Sequence, residues 1–227
     1  LGIARTREFG TMLGEHTART YEALDILLRE IASDLSTNHQ EWPTWEAGRG
    51  WTYIAERHTR SLPQLRNLII FDRDGELRFM SAYFPPERVN VRDRPYFVAL
   101  EQGAAALGFG PFIGRISGRY TYALAQRIED SAGNFAGVVT ARTEPTYFSA
   151  HCWSGRLADD FESVIINAQG QIVASCRPTD TGKGSPLLGA LAVDVLYAGR
   201  LRDWLPAAGV ARGNGLIASV ALVPDYG

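Results

Sequence analysis

Long apolar runs are missing from this sequence. No stretch approaches the roughly 20 residues that cross a bilayer, and no signal peptide opens the chain. Charge bias is missing too: 23 Lys and Arg against 25 Asp and Glu leave a net charge of −2. Neither nucleic acid nor an anionic membrane surface is therefore expected as a partner. Cysteine is scarce, and the pair Cys152 and Cys176 fits either a disulfide in an oxidising compartment or two buried thiols. His16, His39, His58 and His151 lie far apart with no ligand-like spacing, so neither a structural zinc site nor another cofactor is expected.

Signatures of catalysis are equally sparse. Ser117-Gly118 and Ser154-Gly155 are not nucleophile elbows, since no Gly-x-Ser-x-Gly occurs. His151 and Cys152 are adjacent, and neighbours on a chain rarely form a working thiolate pair. Thr181-Gly182-Lys183-Gly184 has the wrong spacing for a phosphate loop. Asp159-Asp160 reads as a solvated helix face or linker. An enzyme is not expected.

What is present begins with a helix. From about Arg5 to Leu35 there is no proline, and Phe9, Leu13, Ala18, Tyr21, Leu24, Leu28, Ile31 and Leu35 recur in steps near three and four. Such a helix runs about 45 Å, longer than one small domain needs. It fits a spine shared by two domains, and its apolar seam suggests a parallel homodimer through the N-terminal helix. Asn38 to Gly50 is turn-rich and carries Trp42 and Trp45; with Trp51 these read as cap or core packing. A shorter helix is expected from about Trp51 to Ser61, closed by Pro63.

The most regular signal is a repeated hairpin. Asn67-Leu68-Ile69-Ile70-Phe71 reads as a buried strand, Asp72-Arg73-Asp74-Gly75 as a turn, and Glu76 to Ala82 as the return strand. The phrase recurs as Ser163-Val164-Ile165-Ile166-Asn167, Ala168-Gln169-Gly170 and Gln171 to Ser175. Superimposing Gly75 on Gly170 aligns both apolar runs, with one extra residue expected before the first turn. Neither hairpin can bury its face alone, so each implies its own sheet. A third hairpin lies between them: Tyr120 to Ile128, a turn over Glu129 to Gly133, and Asn134 to Thr143. Ser185 to Tyr197 is weakly helical and Leu216 to Val223 strand-like, so the second sheet is expected to be incomplete at its C-terminal edge.

Three stretches carry a resemblance: Phe71-Asp72-Arg73-Asp74-Gly75, Arg92-Asp93-Arg94-Pro95-Tyr96-Phe97 and Gly133-Asn134-Phe135-Ala136-Gly137-Val138-Val139. In this order and spacing they resemble the double Cache family, PAS-like sensor domains of bacterial histidine kinases, chemoreceptors and diguanylate cyclases. The resemblance implies an α+β fold, a long N-terminal helix followed by two tandem PAS-like (Cache) domains with antiparallel sheets. It divides the chain into a spine helix over 1–39, a membrane-distal ligand-binding domain over 40–150 and a membrane-proximal domain over 151–227. The chain starts inside the helical pattern at Leu1 and stops just after a strand-like run. The expectation is therefore a periplasmic fragment of an inner-membrane protein, with its flanking transmembrane helices absent.

Amino-acid-sensing members of that family typically show Arg-x-Trp-Tyr, with the Arg and the aromatic after the gap holding the ligand carboxylate. Here the stretch reads Arg94-Pro95-Tyr96-Phe97. The resemblance thus implies Arg94 and Tyr96 as carboxylate contacts, and a guanidinium suits the role because its planar fork donates two parallel hydrogen bonds. The ammonium-binding half departs from the pattern. Phe97 lacks the usual hydroxyl, and the usual acidic residue late in the Gly-Val-Val strand is Arg142. A small organic acid or other small polar ligand is expected rather than a free α-amino acid, with Arg115, Tyr120 and Tyr122 as further donors. Alternation puts Tyr120, Tyr122, Leu124 and Gln126 on one strand face and Thr121, Ala123, Ala125 and Arg127 on the other, and leaves open which face meets a cavity. Other roles stay open as well: Arg142 as a partner of Glu144 or Asp130, Arg94 as a bonder of loop carbonyls, Tyr96 and Phe97 as core aromatics. Competing functions are a dimerisation and relay module without a ligand, and a cytosolic PAS-type module holding haem or flavin.

Overall fold

The computed structural model describes residues 2–59, 62–115, 120–143, 147, 164–166, 172–175, 209–213 and 216–220. It is α+β, an N-terminal helix and antiparallel sheet. The chain divides into two compact units, one Thr20–Glu144 and the other Leu1–Arg19 with Pro145–Gly227.

Helix α1 spans Gly2–Thr37, 36 residues and about 54 Å, so it outruns the span expected from sequence at its N-terminal end. From Tyr21 onward its apolar stripe is buried within the chain. Tyr21, Leu24, Leu28, Ile31 and Leu35 are all buried, and Tyr21 packs on Tyr122 of the sheet with ring centroids 5.3 Å apart. Phe9, Leu13 and Ala18, nearer the N-terminus on the same seam, are half-buried. Ile26, on another side of the helix, is 58% exposed.

A short 3-10 turn, Trp42–Thr44, leads into α2, Ala47–Thr59, which begins four residues before the expected start at Trp51. Asp34 of α1 ties the two helices together. It accepts hydrogen bonds from Tyr53 (2.7 Å), Asn38 (2.9 Å) and Arg57, whose guanidinium also lies over the Tyr53 ring. Trp42 and Trp45 are buried against Phe79, as core packing requires, whereas Trp51 remains partly exposed beside Phe84.

In the Thr20–Glu144 unit five strands follow: β1 (Leu65–Asp72), β2 (Leu77–Met80), β3 (Ala106–Ile113), β4 (Tyr120–Glu129) and β5 (Phe135–Thr143), with α3 (Pro95–Glu101) between β2 and β3. They form one antiparallel sheet in the order β2-β1-β5-β4-β3. The central strands β1 and β5 are buried nearly throughout, which is why they read as unbroken apolar runs and not as alternation. One sheet face carries Ile70, Phe79, Tyr122 and Val139 and meets α1 and the tryptophans. The other carries Ile69, Phe71, Ala125 and Val138, packed with Val91, Phe97 and Leu100.

The β1–β2 and β4–β5 turns each use an aspartate first and a glycine fourth. Asp72 Oδ1 accepts from the amides of Asp74 and Glu76, and Asp130 Oδ1 from those of Ala132 and Asn134. Gly75 closes the first turn at φ +79°, a conformation side chains disfavour.

Beyond residue 144 the described elements are two hairpins, β6 (Val164–Ile166) with β7 (Ile172–Ser175), and β8 (Gly209–Gly213) with β9 (Leu216–Val220). The first of these repeats the β1–β2 pairing. The register shifts between Ile165 and Ile166 as it does between Ile70 and Phe71, and Ile166 opposite Ile172 corresponds to Phe71 opposite Leu77. The correspondence is gapless, so the extra residue expected before the first turn is not needed. Strand β8, absent from the sequence reading, gives β9 a partner. Cys152, Cys176, His151, Asp159, Asp160, the Thr181–Gly184 stretch and the helix expected over 185–197 lie outside the described residues.

Candidate functional site

A cavity opens on the sheet face opposite α1, lined from four directions: Ile69 and Phe71 of β1, Thr140 and Arg142 of β5, Phe109 and Phe112 of β3, and the Val89–Tyr96 segment. Gly114 and Arg115 complete it, and about 420 Å³ lies free of atoms, counted to include the mouth.

Each polar side chain is there for a local reason. Arg94 caps α3 with extended backbone (φ −78°, ψ 135°), because Pro95 disfavours helical geometry in the residue before it. Tyr96 and Phe97 then diverge by about a third of a turn on the helix. Tyr96 lines the cavity and stacks on Phe109 at 3.9 Å, while Phe97 is fully buried in the core against Phe135. Phe97 therefore takes the core role, and Tyr96 is the aromatic presented to the cavity.

Arg142 sits on the cavity floor, 5% exposed, and its Nη2 donates to Thr121 Oγ1 at 2.9 Å. Its sheet partners Ala123 and Asn67 share its face, and Thr140 opposite Ala125 follows two residues before it. The cavity thus meets the Thr121, Ala123, Ala125 face of β4. Burial, with Arg66 nearby, lowers the Arg142 pKa from its usual value.

Arg115 stands at the rim. Asp93 grips it in a two-pronged ion pair (2.9 and 2.6 Å), and Arg115 also donates to the Asn90 carbonyl. The shared hydrogen bonds hold the Asp93 carboxyl below its ordinary range and push the guanidinium further up. Burial raises the Tyr96 phenol well above its usual value, and the positive charges of Arg94, Arg115 and Arg142 work against that rise. All three guanidiniums therefore lie close enough to one phenol to act on it.

Of the six side chains expected at a site, the structure brings Arg94, Tyr96, Arg115 and Arg142 together around one cavity. Tyr122 is a correction. It lies on the opposite face of β4, buried against Tyr21, where burial pushes its pKa up to about 12. Tyr120 heads β4 opposite Ile113, and its side chain lies outside the described residues. Sequence reading missed Phe109, Phe112 and Thr140. The two phenylalanines are three apart and would face opposite ways on a regular strand. A bulge between them, with Gly110 at φ +123°, turns both toward the cavity: Phe109 pairs with Ala123 and Phe112 with Thr121.

No protein-family model and no curated protein sequence matches the chain. Solved structures do. The extracellular domain of a protein described as the histidine kinase rpHK1S-Z16 superposes with a TM-score of 0.76 at 22% identity, over 98% of this chain and 90% of that one. The ligand-binding domain of the Pseudomonas aeruginosa amino acid chemoreceptor PctC, in complex with GABA, gives 0.63 at 16% identity, over 92% and 87%. That of the Pseudomonas fluorescens chemoreceptor CtaA, with L-isoleucine, gives 0.64 at 15% identity, over 93% and 80%. At these identities the likeness establishes a shared fold, that of extracellular sensor domains of membrane receptors.

Proposed function

We propose that this chain is the extracytoplasmic sensor portion of a transmembrane signalling receptor, a histidine kinase, diguanylate cyclase or chemoreceptor, and that it binds a small organic anion in the cavity of the Thr20–Glu144 unit. The observation that carries the reading is the convergence of Arg94, Arg115 and Arg142 with Tyr96 on one cavity. A guanidinium can hold a carboxylate through two charge-assisted hydrogen bonds. The stacked rings of Tyr96, Phe109 and Phe112 offer an apolar wall for the rest of the molecule. Two tandem PAS-like domains remain the preferred organisation, supported by the identical register shift in the β1–β2 and β6–β7 hairpins. A ligand that fits one arrangement better than another shifts the receptor between its states, and a helix as long as α1 can carry that bias. The fold neighbours are sensors, which supports a binding role rather than a catalytic one.

The test is a set of melting curves of the 227-residue chain against small carboxylates, dicarboxylates and amino acids, with Arg94→Ala alongside. A ligand at 100 times its Kd adds about 2.7 kcal/mol, a rise of roughly 5–10 °C for a chain of this size. A rise with acids that Arg94→Ala abolishes supports the reading. A rise with amino acids alone contradicts the organic-anion assignment and keeps the sensor. No rise with any compound shifts the weight to a relay module without a ligand.

A further inference from the structure

Helix α3 places two of the cavity's side chains, Arg94 at its cap and Tyr96 just past Pro95. It is short, seven residues and about 10 Å. Isolated helices below about 12–15 residues are marginal in water, so α3 depends on what surrounds it. Its start supplies little anchoring: Arg94 makes no side-chain cap, and Pro95 has no amide hydrogen to donate. Phe97 and Leu100 are buried in the core, and Arg127 of β4 grips the far end. Arg127 Nη1 donates to the carbonyls of Leu100 (2.6 Å) and Glu101 (3.1 Å), the last two residues of the helix. Helix ends leave their final carbonyls unpaired and carry partial negative charge, so a guanidinium is favoured there on both counts. That guanidinium is itself oriented. Its Nε donates to Glu129 at 2.9 Å, and it lies over the ring of Phe135, which meets Phe97 edge-on. The Arg127 amide also donates to the Ala105 carbonyl at 2.9 Å, which ties down the chain just past the helix. The side chain is 12% exposed, and Arg127 is not among the cavity's described lining residues.

We infer, building on the organic-anion reading above, that Arg127 is a positioning residue for the cavity: by fixing the C-terminal end of α3 to the sheet, it sets where Arg94 and Tyr96 stand. Burial of Phe97 and Leu100 is non-directional and fixes the depth of the helix. Hydrogen bonds to the two carbonyls are directional and settle its tilt. A helix this short moves as a rod, so a tilt at Glu101 is felt at Tyr96, about 7.5 Å away along the axis. Binding groups have to stand within about 0.5 Å of their productive geometry, so even a small tilt reaches the affinity.

The test compares the whole parent chain with Arg127→Met, which keeps an apolar stem beside Phe135 and loses every donor. Position is read first, by NMR of ring-labelled tyrosines with no ligand present. The Tyr96 ring, its centroid 3.9 Å from that of Phe109, carries a ring-current shift that should shrink in the variant. Tyr21 and Tyr122, paired on the opposite sheet face, should keep theirs. Affinity is read second, by calorimetric titration with succinate, and should weaken roughly three- to tenfold, the equivalent of one hydrogen bond. Arg127→Lys, which keeps the charge and a donor for one carbonyl, should show a smaller change in both readings, and it carries the test if the methionine variant unfolds. An unmoved Tyr96 ring, or all three tyrosines moving together, overturns the inference and leaves Arg127 a role in the fold alone. Succinate that binds parent and variant equally overturns it too, and the organic-anion reading then stands. No heat from succinate in the parent counts against the organic-anion reading, and the Tyr96 signal then decides the role of Arg127 by itself.

Discussion

Gly110→Ala is the change that most directly probes how the aromatic wall is built. At φ +123° the backbone is in a region that only glycine enters freely, and holding another residue there costs about 1–3 kcal/mol. The added Cβ would stand 2.7 Å from the Thr121 carbonyl oxygen and 3.1 Å from the Tyr122 Cα. Both are backbone atoms of the neighbouring strand and cannot swing aside, so overpacking adds about another 1–3 kcal/mol. The two terms give a loss of roughly 2–6 kcal/mol. With a urea slope of about 2 kcal/mol per molar, the middle of the usual range, the unfolding midpoint should fall by roughly 1–3 M at an unchanged slope. If the variant keeps its fold it does so by undoing the bulge, which turns Phe112 away from the cavity and weakens any ligand. A midpoint within experimental error of the parent, with ligand binding intact, would refute both the bulge and its role.

Three further outcomes follow from the same geometry. Tyr122→Phe, on the far face of β4, keeps the ring contact with Tyr21 and should leave the Kd of a cavity ligand within about twofold, read by titration. Thr121→Val removes the acceptor that fixes Arg142; anion affinity should drop about three- to tenfold in titrations while the far-UV spectrum stays unchanged. Although burial pushes the Asp34 carboxyl up, its bonds to Asn38, Tyr53 and Arg57 win and hold it low. The stability it lends is therefore fully present above the unfolded-state value near 3.9 and is lost as pH falls through the lower folded value. Melting temperatures of Asp34→Asn against the parent across that window should converge toward the acid end.

How much was legible in the sequence depended on how local the cause was. The β1–β2 and β4–β5 hairpins could be read because each turn carries its own Asp and Gly chemistry within five residues. The repeat could be read because the same turn recurs between apolar runs. Strand β3 could not, since Gly108, Gly110 and Pro111 suppress its strand signal, and the bulge they permit is what aims Phe109 and Phe112. Arg94, Tyr96 and Arg142 were found through resemblance, not periodicity. The choice between the two faces of β4 was hidden because both faces are buried, so no polar side marked the solvent. Tyr122 was misassigned for that reason. The Arg115–Asp93 pair joins loops far apart in the chain and leaves no mark on sequence pattern. The α1 seam was legible as an apolar stripe, but periodicity cannot say whether the chain's own sheet or a second copy covers it.

The central claim is that one cavity gathers three arginines around a small anion. It is tested most directly by NMR of the arginine side-chain Nε–H groups in a ¹⁵N-labelled chain, titrated with succinate and assigned by single Arg→Lys variants. The account predicts that the signals of Arg94 and Arg142 move together, saturate with one Kd, and are joined by Arg115. Arg57, bound to Asp34, and Arg127, bound to the Leu100 and Glu101 carbonyls, should stay still. Small, unsaturated shifts spread evenly over exposed arginines, with Arg142 unmoved, would contradict it.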